Sequence, residues 1–298
     1  MSDKSLIKTV IALGYFDSVH KGHQKVIATA KNLAEQKGAK LVVFTFEGNL
    51  KAKLGDNCQK VVYTTEERES LYRAIGADEI FFAPTGGGFL NKEKQEFLDY
   101  INEIFQIVGY VSGEDYRFGK GGSGSAKDIE KYAKERGQEY ISVKLEKDSD
   151  EKISTTRVKE LLSRGEVDTA KSLMGRAYSV SGLVFADRKV GRTIGFPTVN
   201  IKLDGRKHRL KDGVYLGHLI LDGKKYSAIV NYGARPTFDL NEKLVEAHII
   251  GFSGDLYGQS LTVYFDKFLR DIFKFANEQQ LINQLKKDLE KAGEMNYD

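Results

Sequence analysis

The period of the hydrophobic pattern changes once along this chain, near Gly175. Before it, short apolar runs alternate with segments of helical period. Thr9 to Phe16, Lys40 to Phe46, Glu79 to Ala83, Ile107 to Val111 and Glu139 to Leu145 read as strands. Lys21 to Lys37, Thr64 to Ile75, Lys92 to Phe105 and Ser125 to Gly137 read as the helices between them, and Ser154 to Met174 adds one or two more. Continuous apolar strands joined by helices predict a parallel sheet covered on both faces, with ligands at the carboxyl ends of its strands. After Gly175, the segments Tyr178 to Phe185, Gly213 to Leu221, Lys225 to Asn231, Leu244 to Phe252 and Leu261 to Phe265 follow one another without helices. Asp222-Gly223 marks a hairpin between two of them. This half is predicted to be a small antiparallel barrel or sandwich. It closes on a helix, Asn277 to Lys291, with Leu281, Ile282, Leu285 and Leu289 in one stripe. The expected domains are therefore 1–175, α/β, and 176–298, all-β with a terminal helix.

Two domains suit a length of 298 residues, and 41% hydrophobic residues suffice for two cores. No window approaches the roughly 18 uninterrupted apolar residues of a membrane-spanning helix, and the N-terminus lacks the apolar stretch of a signal peptide. These features argue against a channel, a transporter or a secreted protein. A single cysteine, Cys58, fits the reducing cytoplasm. The formal net charge of +4, from 46 basic and 42 acidic side chains, is too small to indicate nucleic-acid binding.

The segment Gly14-Tyr15-Phe16-Asp17-Ser18-Val19-His20-Lys21-Gly22-His23 joins the first strand to the first helix. Backbone N–H groups and the helix dipole favour phosphate at such a junction. His20 and His23, at i and i+3, can face one bound anion, and Gly22 lets a phosphate approach the backbone. A capped helix with incidental histidines is the plainer reading. A metal pair is disfavoured because no third His or Cys lies nearby in sequence.

This segment resembles the HxGH nucleotidyltransferase signature in the form used by the bacterial bifunctional riboflavin kinase/FAD synthetase family. Gly113-Glu114-Asp115-Tyr116-Arg117-Phe118-Gly119 is similar to the family's GxDFxFG loop, and Ile153-Ser154-Thr155-Thr156-Arg157-Val158-Lys159 to its ISST motif. The resemblance implies a Rossmann-like nucleotidyltransferase domain in which His20 and His23 are catalytic. Gly14, Phe16, Asp17, Gly22, Ser154, Thr155, Thr156, Arg157 and Lys159 would bind ATP and its phosphates, and Asp115, Phe118 and Gly119 the flavin.

The barrel half carries a second set of motifs. Gly191-Arg192-Thr193-Ile194-Gly195-Phe196-Pro197-Thr198-Val199-Asn200 resembles the riboflavin kinase motif GRxxGFPTAN. Asn231 to Phe238 is similar to NIGxRPTF, Val245 to Ile249 to VExHI, and Asp255 to Gly258 to DLYG. Strand alternation sets Glu246 and His248 on one face and Val245 and Ala247 on the other. The resemblance implies a riboflavin kinase barrel with Glu246 as general base. Thr198 and Asn200 would hold Mg²⁺ and phosphate, with Gly191 and Pro197 also at the nucleotide. Arg270, in Phe268-Leu269-Arg270, would lie at the flavin, or alternatively make a structural ion pair.

Val199 stands in the alanine slot of the kinase motif, and three stretches of the first half depart from the family pattern. Thr45-Phe46-Glu47-Gly48-Asn49-Leu50 replaces TFxPHP, Gly121 to Gly124 replaces the basic residues after FGK, and Lys159 stands in place of an arginine. Lysine keeps the charge but loses bidentate phosphate geometry. The implied activity is phosphorylation of riboflavin to FMN and adenylylation of FMN to FAD, using ATP and Mg²⁺, with riboflavin, FMN and ATP as small-molecule partners and neither nucleic acid nor membrane expected. The alternatives are a riboflavin kinase whose first domain is weak or regulatory, and a non-enzymatic flavin-binding regulator.

Overall fold

The computed structural model describes residues 7–48, 60–86, 88–185, 196–234 and 243–293. Its chain divides into two compact units, Met1–Thr155 and Thr156–Asp298.

In the first unit the predicted alternation is present nearly residue for residue. It runs β1 (Lys8–Leu13), α1 (Lys21–Lys37), β2 (Lys40–Phe46), α2 (Thr65–Ala74), β3 (Glu79–Ala83), α3 (Lys94–Ile104) and β4 (Gln106–Gly113). The short strands β5 (Arg117–Phe118) and β6 (Gly124–Ser125) precede α4 (Ala126–Glu135), β7 (Glu139–Val143), β8 (Lys147–Asp148) and β9 (Glu151–Lys152). The main sheet has the order β3-β2-β1-β4-β7, and every pairing in it is parallel. Central strands buried on both faces explain the unbroken apolar runs: Val10, Ile11, Ala12 and Leu13 are buried, as are Leu41 to Phe44. Under the sheet, Phe44, Phe81, Phe97 and Phe105 meet in stacked and edge-on pairs. Helix α1 stops at Gly38, whose left-handed backbone (φ 57°) lets its N–H cap Ala34 and Glu35.

In the second unit α5 (Thr155–Arg164), whose first residue belongs to the preceding unit, and α6 (Val167–Met174) lead into β10 (Tyr178–Phe185), β11 (Val199–Lys202) and β12 (Gly213–Leu221). β13 (Lys224–Ala234), β14 (Lys243–Ile249), β15 (Ser260–Arg270) and α7 (Glu278–Gly293) complete it. The six strands close into an antiparallel barrel in the order β10-β11-β14-β13-β12-β15. β11 arises inside the segment read only as a motif. The Asp222-Gly223 hairpin forms as expected, both residues having positive φ (50° and 77°). Tyr215, Val230, Tyr232, Val245, Ala247 and Phe265 fill the barrel. On its outside, Val214, Leu216 and Ile229 pack against Leu289 and Ala292 of α7.

Candidate active sites

In the first unit, β1 ends on a loop that two hard-to-form conformations shape. Phe16 and Val19 take φ of 46° and 45°, which costs a non-glycine residue roughly 1–3 kcal/mol each and concentrates at functional sites. Gly14 is required by its neighbour: a Cβ there would lie 2.4 Å from the Phe16 ring. The turn sets His20 as the N-cap of α1. Its Nδ1 accepts the His23 N–H at 3.2 Å, which places the proton of a neutral imidazole on Nε2. The His23 ring stacks on His20 with centroids 3.6 Å apart, and Phe16 meets His23 edge-on at 5.3 Å. A Cβ on Gly22 would come within 3.2 Å of the His20 ring, so glycine leaves the imidazole its place. Two imidazoles this close repel when both are protonated, and an anion relieves that repulsion.

The ISST-like segment meets this loop directly. Ser18 Oγ lies 3.0 Å from Thr155 Oγ1, so two motifs separated by 137 positions form one hydroxyl-lined corner. Ser154 precedes it; Thr156, Arg157 and Lys159 follow on α5, with Lys159 buried. Asp17, expected at phosphate, is itself buried, and its Oδ1 accepts the Val62 N–H at 2.8 Å.

The residues expected at the flavin have different surroundings. Asp115 is exposed and ion-paired with Lys152. Phe118 is buried in the aromatic core, 5.2 Å from Phe97, rather than open to a ligand. Gly119 has φ 71°, and a Cβ on it would press against the Lys94 backbone at 3.0 Å. It is thus a tight-packing glycine in the loop before α4.

In the barrel, registered pairing does what the sequence pattern only suggested. Asn200 of β11 faces Glu246 of β14, Glu246 faces Asn231 of β13, Asn231 faces Val214 of β12, and Val214 faces Arg270 of β15. Directly opposed residues share a face, so these five form one row around the outside of the barrel. Thr198, two residues before Asn200, donates its hydroxyl to Glu246 Oε1 at 2.8 Å. His248 Nδ1 lies 2.9 Å from the Pro197 carbonyl. The expected alternation holds: Val245 and Ala247 are buried, while Glu246 and His248 are half-buried on the other face. Asn231 opens the NIGxRPTF-like stretch but had no role from the sequence, and the register now puts it opposite Glu246. Gly191 lies outside the described residues.

Two cavities meet at Thr198. One, of about 340 Å³, is lined by Glu246, Asn231 and Arg270 together with Phe273, Leu281 and Leu285. The other, of about 520 Å³, is bounded by Pro197, Val199, Phe252 and the Asp255-Leu256-Tyr257 turn. Arg270 makes the ion pair that was the second of its two readings. Its Nε and Nη2 reach Asp288 of α7 at 3.1 and 2.8 Å, and Asp288 is fully buried. The arginine thus lines the first cavity while anchoring the helix that walls it.

A parallel sheet ending in a histidine-bearing loop, followed by a barrel with a carboxylate lining one of two cavities that meet at Thr198, has the build of an enzyme that handles nucleotide phosphates at two places. The comparisons agree. The FAD synthetase family model matches residues 2–157 and the riboflavin kinase family model residues 174–296. A bifunctional riboflavin kinase/FMN adenylyltransferase of Listeria monocytogenes is 34% identical over 95% of this chain and 90% of its own length. That of Bacillus subtilis is 31% identical over 96% and 92%. A crystal structure from Streptococcus pneumoniae titled as a macrolide-efflux protein superposes with TM-score 0.88 and 32% identity, covering 99% of this chain and 96% of that one. The chain belongs to the bifunctional riboflavin kinase/FMN adenylyltransferase family. No helix among its described residues is long and apolar enough to cross a membrane.

Proposed function

We propose that this chain phosphorylates riboflavin to FMN in its barrel and joins FMN to the AMP moiety of a second ATP in its α/β half, releasing pyrophosphate. The observation that carries the kinase assignment is Glu246. Thr198 occupies its Oε1, and Oε2 is left to accept the proton of the ribityl 5′-hydroxyl as that oxygen attacks the γ-phosphorus and ADP departs. The aromatic and aliphatic walls of the 340 Å³ cavity suit the isoalloxazine ring, and Glu246 and Asn231 on the same lining suit the polyol. The 520 Å³ cavity takes the nucleotide, so that the two substrates converge at Thr198.

Mg²⁺ fits this donor set, because it usually takes one or two protein oxygens and leaves the rest of its shell to phosphate and water. The Thr198 hydroxyl spends its proton on Glu246 and keeps lone pairs for a cation, and the Asn200 amide sits beside it in register. When bound, the ion neutralises charge on the transferring phosphoryl group.

In the α/β half, a phosphate oxygen of FMN attacks the α-phosphorus of ATP. His20 and His23 stabilise charge there with the N-terminus of α1 and the hydroxyls of Ser154, Thr155 and Thr156. Adenylylation is assigned to the chain before residue 175 and phosphorylation to the chain after it, and the reducing cytoplasm is proposed as their location. Incubating the purified chain with riboflavin, ATP and Mg²⁺ and resolving FMN from FAD tests both steps. Both products are expected; FMN alone would establish the kinase-only alternative, and neither would leave the flavin-binding regulator.

A further inference from the structure

Arg68 is among the largest fully buried side chains of the described residues, and the function described so far has no use for it. It sits on α2, a helix whose buried residues are Arg68 and Tyr72. At i and i+4 these two occupy one face. A helix that turns a guanidinium and a phenol inward, rather than leucines, is spending burial on hydrogen bonds. Those bonds converge on the loop that carries the histidines.

Arg68 Nη1 donates to the Tyr15 carbonyl at 3.3 Å and Nη2 to the Phe46 carbonyl at 3.1 Å, tying the exits of β1 and β2 together. Thr45 Oγ1 donates to the same Tyr15 carbonyl at 2.9 Å. Tyr72 donates its hydroxyl to the carbonyl of Phe16 at 3.1 Å. Burial pushes the Tyr72 phenol up to about 12, so it remains a donor throughout the working range. Two of the three carbonyls gripped belong to the loop, those of Tyr15 and of the positive-φ residue Phe16. From there contact runs through rings: Tyr72 meets Phe16 edge-on at 6.1 Å, Phe16 meets His23 at 5.3 Å, and His23 stacks on His20 at 3.6 Å.

We infer that Arg68 and Tyr72 are positioning residues for adenylyl transfer, holding the strained β1–α1 loop so that His20 and His23 face the reacting phosphates. Neither side chain touches the substrate in this role; both act through the Tyr15 and Phe16 backbone. The inference rests on the adenylyltransferase reading of this half. A loop with two residues in sparsely populated conformations relaxes unless its surroundings fix it, and a misplacement of about 1 Å can cost on the order of 10²-fold in rate.

The test uses the full chain, with the amide ¹H–¹⁵N spectrum of the first unit checking that each variant is folded and the kinase of the second unit serving as an internal control. Tyr72→Phe deletes one hydroxyl and keeps the ring, and Arg68→Lys keeps the charge but loses the fork that spans two carbonyls. FAD formation from FMN and Mg-ATP is expected to lose kcat by about 10- to 10²-fold in each. KM for both substrates should stay near wild type, and riboflavin phosphorylation should not change. A second readout does not depend on turnover: ¹⁵N chemical shifts of the imidazoles, with only five histidines in the chain to assign. Tyr72→Phe should move the His20 and His23 resonances and leave the other three in place. Unchanged shifts, or wild-type kcat in both variants, would overturn the positioning role. Moved shifts in a wild-type background that makes no FAD would leave the positioning role standing and remove the adenylyltransferase reading.

Discussion

Glu246 owes its proposed task to what its neighbours leave it. One carboxylate oxygen receives the Thr198 hydroxyl, and the asparagines on either side in register contribute amides rather than competing charges. Replacing the carboxylate with an amide keeps shape and volume while removing basicity. Glu246→Gln should therefore lower kcat for FMN formation by about 10²–10⁴-fold, the usual worth of a general base, with the unfolding temperature unchanged and FAD synthesis from supplied FMN intact. Turnover near wild type at saturating riboflavin and ATP would take Glu246 out of the mechanism. Its candidacy was legible because the VExHI-like stretch Val245 to Ile249 and a strand alternation both pointed at it. Asn231 stood in a quoted motif without a role and Arg68 in none, since the meaning of each depends on a partner that only tertiary pairing supplies. Asn231 needs the β13–β14 register, and Arg68 needs carbonyls 22 and 53 positions away.

At the level of elements, α7 shows how a sequence pattern can be right and still misjudge a face. The stripe of Leu281, Ile282, Leu285 and Leu289 predicted a helix packed by its leucines. The helix is there, yet Leu281 and Leu285 are half-buried because they wall a cavity, and the residues it buries are Asp288 and Ala292. Asp288 draws Arg270 into a bidentate pair and also accepts from Gln284 at 2.9 Å. Asp288→Asn leaves the half-buried Arg270 guanidinium without its countercharge and loosens the helix that walls the cavity. The expected result is a riboflavin KM raised about tenfold or more, with the KM for ATP and the FAD-forming reaction unaffected. A second element carries a pH signature. At the N-terminus of α4, hydrogen bonds from Lys94 and then Ser125 hold the Asp128 carboxyl at about 2, below its ordinary 3.8. A carboxylate depressed in the folded state adds stability above its unfolded pKa and loses it as pH falls through the folded value. Between pH 4 and pH 2 the urea midpoint of the first unit should fall, and Asp128→Asn should flatten that part of the profile. An identical slope in the variant would assign the loss to other carboxylates.

For the molecule as a whole, the informative stretch lies between the two family matches, at residues 158–173. Helical period continues through it, so in sequence it reads as the end of the α/β alternation, which is why the expected boundary fell at 175. Packing assigns it to the barrel. The Lys211 N–H bonds the Leu162 carbonyl at 3.1 Å, and His208 Nε2 lies 2.9 Å from both Ser163 Oγ and the Lys159 carbonyl. Helix α6 packs on β10 and β15, and its Lys171 reaches buried Asp266 at 3.2 Å. Burial pushes the Asp266 carboxyl up, but the hydrogen bond and charge of His218, with Lys171 added, outweigh it and leave the group below its usual value. A kinase fragment cut at 176 loses Lys171 and exposes the surface that α6 covers, whereas one cut at 156 keeps both. Both fragments should phosphorylate riboflavin, because every proposed kinase residue lies beyond 190. The longer should melt higher by at least several degrees, since about 1 kcal/mol moves the midpoint of a small domain by roughly 4–8 °C and burying one leucine contributes about 1.5–3 kcal/mol. Lys171→Met in the longer fragment isolates the charged part: its midpoint should fall between the two. Equal melting of the 156 and 176 fragments would show that the helix pair lends the barrel nothing. A folded 156–298 fragment without kinase activity would show that the barrel cannot work apart from the α/β half.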